Sequence, residues 1–398
     1  MAGPGLILKA LDSSRPGAHR LVVLPASLDF EFLDHLREIP DWAWEPARRE
    51  GGRLVFDASL EGHRHAVKDS HALHRVLQRK RIPRANAVYL TQDRGYAEAY
   101  RRTFAGEPQM RILVYDYWIR AVAGEHMADG EEVFETRLAA WRVRPRRRER
   151  RFLSLNHTLR PPKILFLLRL LDAGLWDRGF VSTGGLKPRL GYPGFAEGEL
   201  EAELDREPRL GALVRALAPL LPRLDAIGSV AFTAPGARSD IRPAMDQALP
   251  EYGRSWFSVV TETEMDERPL RITEKPLKPL MNFHPFLVLG NPGSLDLLRG
   301  YGFRSFPGLF DESYDGEPDP ARRFEAVFRQ VERLCGLEEA ELERLERAAE
   351  DAVLHNARQA LVGLPRLFRE RLDPDLIGRI LAPAEIQPPQ SDRTAQLA

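Results

Sequence analysis

Short apolar runs alternate with helical segments along most of this chain, and that alternation limits the fold more than any other feature. Leu21-Val22-Val23-Leu24-Pro25, Asn86-Ala87-Val88-Tyr89-Leu90-Thr91 and Arg111-Ile112-Leu113-Val114-Tyr115-Asp116 read as strands. Helices are expected over 30–39, 69–78 and 96–104. Strands that alternate with helices call for parallel βαβ units, hence an α/β layer fold. A second series follows. Phe152-Leu153-Ser154-Leu155 is its first strand, and Pro161-Pro162 opens a helix to about Leu171, since proline suits a first turn. Further strands are expected over 227–233, 256–260, 286–289 and 302–306, with helices over 274–283 and after Ser294. The remainder reads as helical over 322–334, 338–362, 364–372 and 376–381, and Pro383 to Ala398 as a polar, disordered tail.

At 398 residues the chain exceeds one ordinary core, because domains run to roughly 100–200 residues. The boundary is expected where seven of ten residues from Arg142 to Arg151 are arginine, a block that reads as a solvated seam. The expected organisation is therefore an α/β domain over 1–150, a second over 151–336, C-terminal helices over 337–382 and the tail over 383–398. Lys+Arg and Asp+Glu number 58 each, so bulk charge demands no polyanionic partner. The single Cys335 excludes a disulfide framework. The longest apolar run, Ile164 to Leu168, ends at Arg169, far short of the ~20 residues of a membrane span. With no signal-peptide pattern at Met1 to Lys9, a cytoplasmic location is expected.

Three segments carry candidate chemistry. In Arg271-Ile272-Thr273-Glu274-Lys275, Thr273 can cap a helix whose first turn holds a carboxylate for ribose hydroxyls and an ammonium for phosphate. The turn Gly290-Asn291-Pro292-Gly293-Ser294 follows an apolar strand and lets backbone amides approach an anion; as a plain strand–helix connection it would be ordinary. Asn156-His157-Thr158-Leu159-Arg160-Pro161-Pro162-Lys163 follows the strand ending at Leu155, where α/β sheets collect ligands. Arg160 and Lys163 there can neutralise a diphosphate, or simply flank a proline-initiated helix. Glu262 and Glu264 end another apolar strand.

The order of a basic residue opening a helix (Lys163), then Val181-Ser182-Thr183-Gly184-Gly185, a strand into Glu262, Thr273-Glu274-Lys275, and the turn through Ser294 resembles the donor domain of the α-1,3-fucosyltransferase family. More broadly it is similar to B-type nucleotide-sugar glycosyltransferases. The resemblance covers about 151–306. It implies two Rossmann-like domains facing across a cleft, with Lys163, Arg160 and Lys275 on the donor diphosphate, Glu274 on the ribose and Glu262 facing the sugar. It implies inverting transfer without a cofactor or metal, from a nucleotide-sugar (GDP-linked by preference) to a saccharide or other hydroxyl acceptor. The general base would come from the first domain, where Asp93, Glu98 and Asp116 lie near strand ends. Thr263, where the family has Asn, and the charged Met265-Asp266-Glu267-Arg268 depart from its pattern.

Other readings compete. A non-catalytic glycosyltransferase-like module would bind a polysaccharide or protein. The arginine block could meet nucleic acid or an anionic membrane surface, though no nucleic-acid recognition motif accompanies it; no nucleic-acid partner is expected, while peripheral membrane contact stays open. His63, His65, His71 and His74 form the densest histidine cluster, with no Cys or paired carboxylate to complete a metal site. Asp373-Pro374-Asp375 reads as a turn capping a C-terminal helix.

Overall fold

The computed structural model describes residues 21–25, 41–59, 67, 70–188, 194–195, 199–204, 209–232, 248–265 and 270–382. The chain is an α/β protein with two separate four-stranded parallel sheets. Its residues group into two compact units, one built from the chain up to Ala121 with Pro365 onward, the other from Val122 to Leu364 apart from a short excursion at 268–271.

In the first unit the strands run in sequence order: β1 (Leu21–Pro25), β2 (Arg53–Asp57), β3 (Ala87–Thr91) and β4 (Arg111–Val114). Right-handed crossovers between successive strands place connecting helices on one face. Accordingly α1 (Ser70–Arg79) and α2 (Tyr96–Thr103) bury Leu73, Leu77, Tyr96 and Tyr100 against Leu54, Phe56, Tyr89 and Ile112. The alternate residues Val55, Val88, Leu90 and Leu113 face the other way, where the C-terminal helix Asp373–Leu381 covers them with Leu376 and Ile380. Two arginines at the strand starts clip that helix at its carbonyl end. Arg53 donates to the Ile380 and Ala382 carbonyls at 3.2 and 2.6 Å, and Arg111 to Arg379, Ala382 and Ile380 at 2.8, 2.9 and 2.9 Å. Cations suit the negative end of a helix and satisfy its orphan carbonyls. Burial and the neighbouring Arg53 charge bring Arg111 down to about 10.

The second unit reverses direction partway. Its strands are β5 (Phe152–Ser154), β6 (Gly179–Val181), β7 (Phe257–Thr261) and β8 (Phe286–Leu289), ordered β6-β5-β7-β8. After β6 the chain crosses to the far side of β5, which makes a topological switch point, the usual ligand position in such sheets. Helix α3 (Gly130–Arg142) precedes the sheet, and α4 (Pro161–Asp172) links β5 to β6. Ten of the twelve α4 residues are buried, the pattern of a helix enclosed on all sides. Later come α5 (Leu277–Met281), α6 (Ser294–Gly300), α7 (Pro320–Gly336) and α8 (Glu339–Arg358). The backbone stays helical beyond α8 to Leu381, through wider π-turns at Gln359–Gly363 and Phe368–Leu372.

Several expectations are corrected here. The arginine block is not a seam: the division falls at Ala121 and again at Leu364, and the segment 142–151 lies inside the second unit. Arg148 is buried, with Glu346 at 2.7 Å and its guanidinium 5.1 Å from the Trp256 ring. The strand expected over 302–306 is absent, because the Asn356 amide on α8 bonds both sides of Arg304, accepting its N–H at 2.7 Å and donating to its carbonyl at 2.8 Å. The strand expected over 227–233 reduces to one antiparallel bridge between Thr183 and Val230. Asp373 lies within the C-terminal helix, paired with Arg120 at 2.7 Å, so Asp373-Pro374-Asp375 is not a capping turn. The expected helix over 30–39, residues His63 and His65, and the tail lie outside the described residues.

Candidate functional site

All four segments that follow the strands of the second sheet lie at its carboxyl edge, and they hold the residues singled out above. After β5 the chain turns at Asn156 and enters α4. Pro161 and Pro162 occupy the first two helical positions and carry no N–H, and Arg160 at the N-cap supplies no side-chain cap. Lys163 comes third. A lysine there adds positive charge to the positive end of the helix dipole. It is also buried, at 4 % exposure, which disfavours a charge. Among the described residues its ammonium donates to the Thr158 carbonyl at 2.8 Å and pairs with no carboxylate. Burial and the nearby Lys275 charge lower Lys163 to about 7; Lys278 adds to the effect, and Glu274 and Glu262 oppose it. Lys163 and Lys275, far apart in sequence, therefore act on each other in space.

Opposite stands the segment after β7. Thr273 does not cap a helix, because Pro276 defers the start of α5 to Leu277. Its hydroxyl faces Glu262 instead, 2.8 and 2.7 Å from the two carboxylate oxygens, and accepts the Lys275 ammonium at 3.1 Å. Lys275 bridges two carboxylates, 3.5 Å from Glu262 and 3.5 Å from Glu274. Glu262 is buried. Gly290 backs it so closely that a β-carbon there would lie 3.0 Å from the Glu262 Cγ. Glu262 thus orients the Thr273–Lys275 segment. Glu274 is different: burial raises its carboxyl, but Lys275, Lys278 and Lys163 outweigh burial and hold it below the usual carboxylate range.

The supports of this edge are largely internal. Asn156 is fully buried, its oxygen accepting from the Thr261 hydroxyl and its amide donating to Ser154 Oγ at 3.0 Å, so it ties strand ends together. In the turn after β8, the Gly293 amide donates to the Asp315 carbonyl at 2.8 Å and the Leu295 amide to the Asp315 carboxylate at 3.1 Å. That carboxylate already fills the anion position at the start of α6. Ser294 donates to the Asn291 carbonyl at 2.6 Å, and Asn291 is buried. Arg323 of α7, also buried, donates to the carbonyls of Gly290, Glu317 and Met265 and so fixes three loops at once. Lys278, Asp315 and Arg323 were not among the sequence candidates. Arg323 and Asp315 act on backbone far away in sequence, which no local pattern records.

In the first unit the three candidate carboxylates are engaged. Asp116 takes both prongs of Arg94 at 2.8 and 2.5 Å, Asp93 accepts the Gly95 amide at 2.8 Å, and Glu98 pairs with Arg102 at 3.3 Å on the helix surface. Asp57, missed in the sequence, ends β2 and accepts from the Ser59 amide at 3.1 Å and hydroxyl at 2.5 Å; burial raises its carboxyl. His71 and His74 share a face of α1 against Phe104, and His74 bonds the Tyr100 hydroxyl at 2.7 Å. Burial first, and then nearby Arg84, bring His74 down to about 4, so it serves as a neutral core residue. In the second unit, His284 sits between Ser258 (2.8 Å) and the Ser255 carbonyl (3.0 Å); burial, the largest influence, together with Arg148 and Arg144 brings it to about 3. Cys335 is buried. Among the described residues no three His, Cys, Asp or Glu side chains group to hold a metal ion, and no helix is long and apolar enough to cross a membrane. Comparison with models of known protein families gives no match, and comparison with curated proteins gives none either.

Proposed function

We propose that the second unit binds the diphosphate of a nucleotide-sugar, and that the chain is a glycosyltransferase of the two-domain B type acting on a saccharide or other hydroxyl. The observation that carries this reading is Lys163, a buried ammonium at an uncapped helix N-terminus beside Lys275 and Lys278. An anion would meet Lys163, whose ammonium donates to a carbonyl, and would supply an acceptor at the helix start. Glu274, kept ionised, suits ribose hydroxyls. In the reaction the acceptor oxygen bonds to the anomeric carbon, the bond from that carbon to the diphosphate breaks, and its electron pair leaves with the phosphate. Lys163 and Lys275 stabilise the charge that develops there, and the hydroxyl proton passes to a carboxylate. GDP-linked sugars with inversion are the first donors to examine, on the resemblance of Lys163, Glu274 and Lys275 to the fucosyltransferase pattern.

The test is calorimetry with GDP, UDP and CDP. At least one should bind, and Lys275→Ala should weaken it by about 10- to 100-fold, the range of a charge-assisted hydrogen bond. Absence of binding by all three, or equal binding by the variant, rejects the reading. One observation favours a second reading, a binding module without turnover: Asp93, Asp116 and Glu262 are all engaged by neighbours. Slow hydrolysis of a bound nucleotide-sugar would favour the enzyme; tight binding without turnover would favour the module.

A further inference from the structure

The arginine-rich segment has no part in the site above, and its geometry is unlike that of a linker. From Trp141 to Arg151 the chain is held against the second unit by its alternate members. Arg144 lies 3.7 Å over the Trp141 ring and donates to the Trp141 carbonyl at 2.8 Å, while Glu346 meets both Arg144 (3.3 Å) and Arg148 (2.7 Å). Arg148 is almost fully buried, its side chain 2 % exposed. Beyond it, the amides of Glu149 and Arg150 donate to the Arg254 carbonyl at 2.9 and 3.2 Å, and the Arg151 amide to Arg178 at 2.7 Å. Glu149 itself is taken by Arg254, at 2.6 and 2.5 Å.

Arg144 and Arg148 are pinned inward, and residues between and beside them point outward. Arg142, Arg146, Arg147 and Arg150 are exposed, and so is Val143, at 82 %. In this outer row Arg147 lies 3.6 Å from Glu339, and Arg150 donates to the Glu149 carbonyl at 3.3 Å and lies 5.8 Å from the Phe180 ring. The result is a ridge of exposed arginines that includes one bare apolar side chain, in a chain whose total charge is zero. The backbone that carries them is held in place before any contact, so it loses less freedom on binding than a loose arginine tract would.

We infer that this ridge docks the protein on an anionic phospholipid surface, the arginines meeting headgroup phosphates and Val143 entering the interfacial layer. Basic residues beside an apolar one are the combination that an interface of charged headgroups over acyl chains rewards. Single-stranded nucleic acid is served less well, since it asks for aromatic faces on which bases stack. Trp141 is already stacked on Phe283, with ring centroids 5.6 Å apart, and Trp256 is buried under Arg148.

The experiment is co-sedimentation of the full chain with vesicles of phosphatidylcholine alone and of phosphatidylcholine mixed equally with phosphatidylglycerol. Binding is expected to the mixed vesicles and not to the neutral ones, and to fall with added salt. Each arginine near such a surface changes affinity by about fivefold, so Arg142→Ser with Arg146→Ser should weaken binding roughly 25-fold. Val143→Asp should weaken it as well. Both substitutions lie on exposed side chains, and nucleoside-diphosphate binding by the same proteins reports that they fold. Arg101→Ser with Arg102→Ser, an equal loss of charge on α2, should change nothing. Equal binding to both vesicle types, no binding, indifference to the ridge variants, or a salt-dependent grip on single-stranded RNA with none on vesicles would each overturn the inference.

Discussion

The two sheets share a plan, four parallel strands with polar groups at the carboxyl edge, yet they treat charge differently. In the first unit the carboxylates at that edge among the described residues have been answered by the chain itself: Asp116 by Arg94, Asp93 by a backbone amide, Asp57 by Ser59. In the second, Lys163 is buried against a carbonyl at the wrong end of a helix, among further lysines. The contrast separates architecture from readiness to bind. A charge matched by a close partner holds the fold; Lys163, which donates to a carbonyl and has Glu274 and Glu262 only at longer range, is the one that the proposed ligand would complete.

The sharpest way to break that contrast is Lys163→Met. Nucleoside-diphosphate affinity should fall by about two orders of magnitude in calorimetry, as a charge-assisted contact within the anion site is lost. The ligand-free variant should unfold at the same temperature or higher, because a costly buried ammonium is gone. If the variant is instead destabilised, Lys163 is architectural and the contrast collapses. The corresponding change in the first unit, Arg94→Met, should do the reverse. It removes the two-pronged partner of a buried Asp116 and should cost about 3 kcal/mol in denaturant titrations while nucleotide affinity stays constant.

A pH series sharpens the same point. The Lys163 pKa is lowered on folding, from the ordinary 10.5 to about 7, so the unfolded chain binds the extra proton between those values. Stability of the ligand-free protein should therefore rise with pH from about 7 toward 10, and be lost on the way down. A diphosphate needs the ammonium, so its affinity should fall as pH rises through the same window, with proton uptake on binding measurable in buffers of different ionisation enthalpy. Flat profiles would refute this. The smallest expected effect is that of Gly290→Ala. Its methyl would press on Glu262, and a shift of a few tenths of an ångström should cost about 1 kcal/mol and weaken nucleotide binding severalfold through Lys275.

How much of this was visible in the sequence depends on the range of the interaction. Strands such as Ala87–Thr91 and Phe286–Leu289 announce themselves as apolar runs, and helix α4 by its paired prolines. Lys163 stands out because it follows the end of a strand, Glu274 and Lys275 because a carboxylate and an ammonium adjoin a potential capping threonine. What escaped is tertiary. Arg53–Asp57 is a short strand beside a Gly-Gly pair that no pattern promoted. Gly302 to Phe306 has the residues of a strand, but Asn356, more than fifty positions on, takes its backbone. The arginine block looked like a boundary because composition cannot tell a guanidinium in water from one that meets Glu346, 198 residues away. Arg323 and Asp315 escaped for the same reason.

The clip of Arg53 and Arg111 on the C-terminal helix has a consequence for biosynthesis. The first sheet is complete by Val114, but the helix that covers its second face is the last part of the described chain to leave the ribosome, with 269 positions separating Arg111 from Ile380. At roughly 5–20 residues per second that interval lasts tens of seconds. Throughout it Val55, Val88, Leu90 and Leu113 have no lid, so the nascent chain carries a bare apolar surface that invites chaperones, and a message truncated before Pro365 would leave that surface open for good.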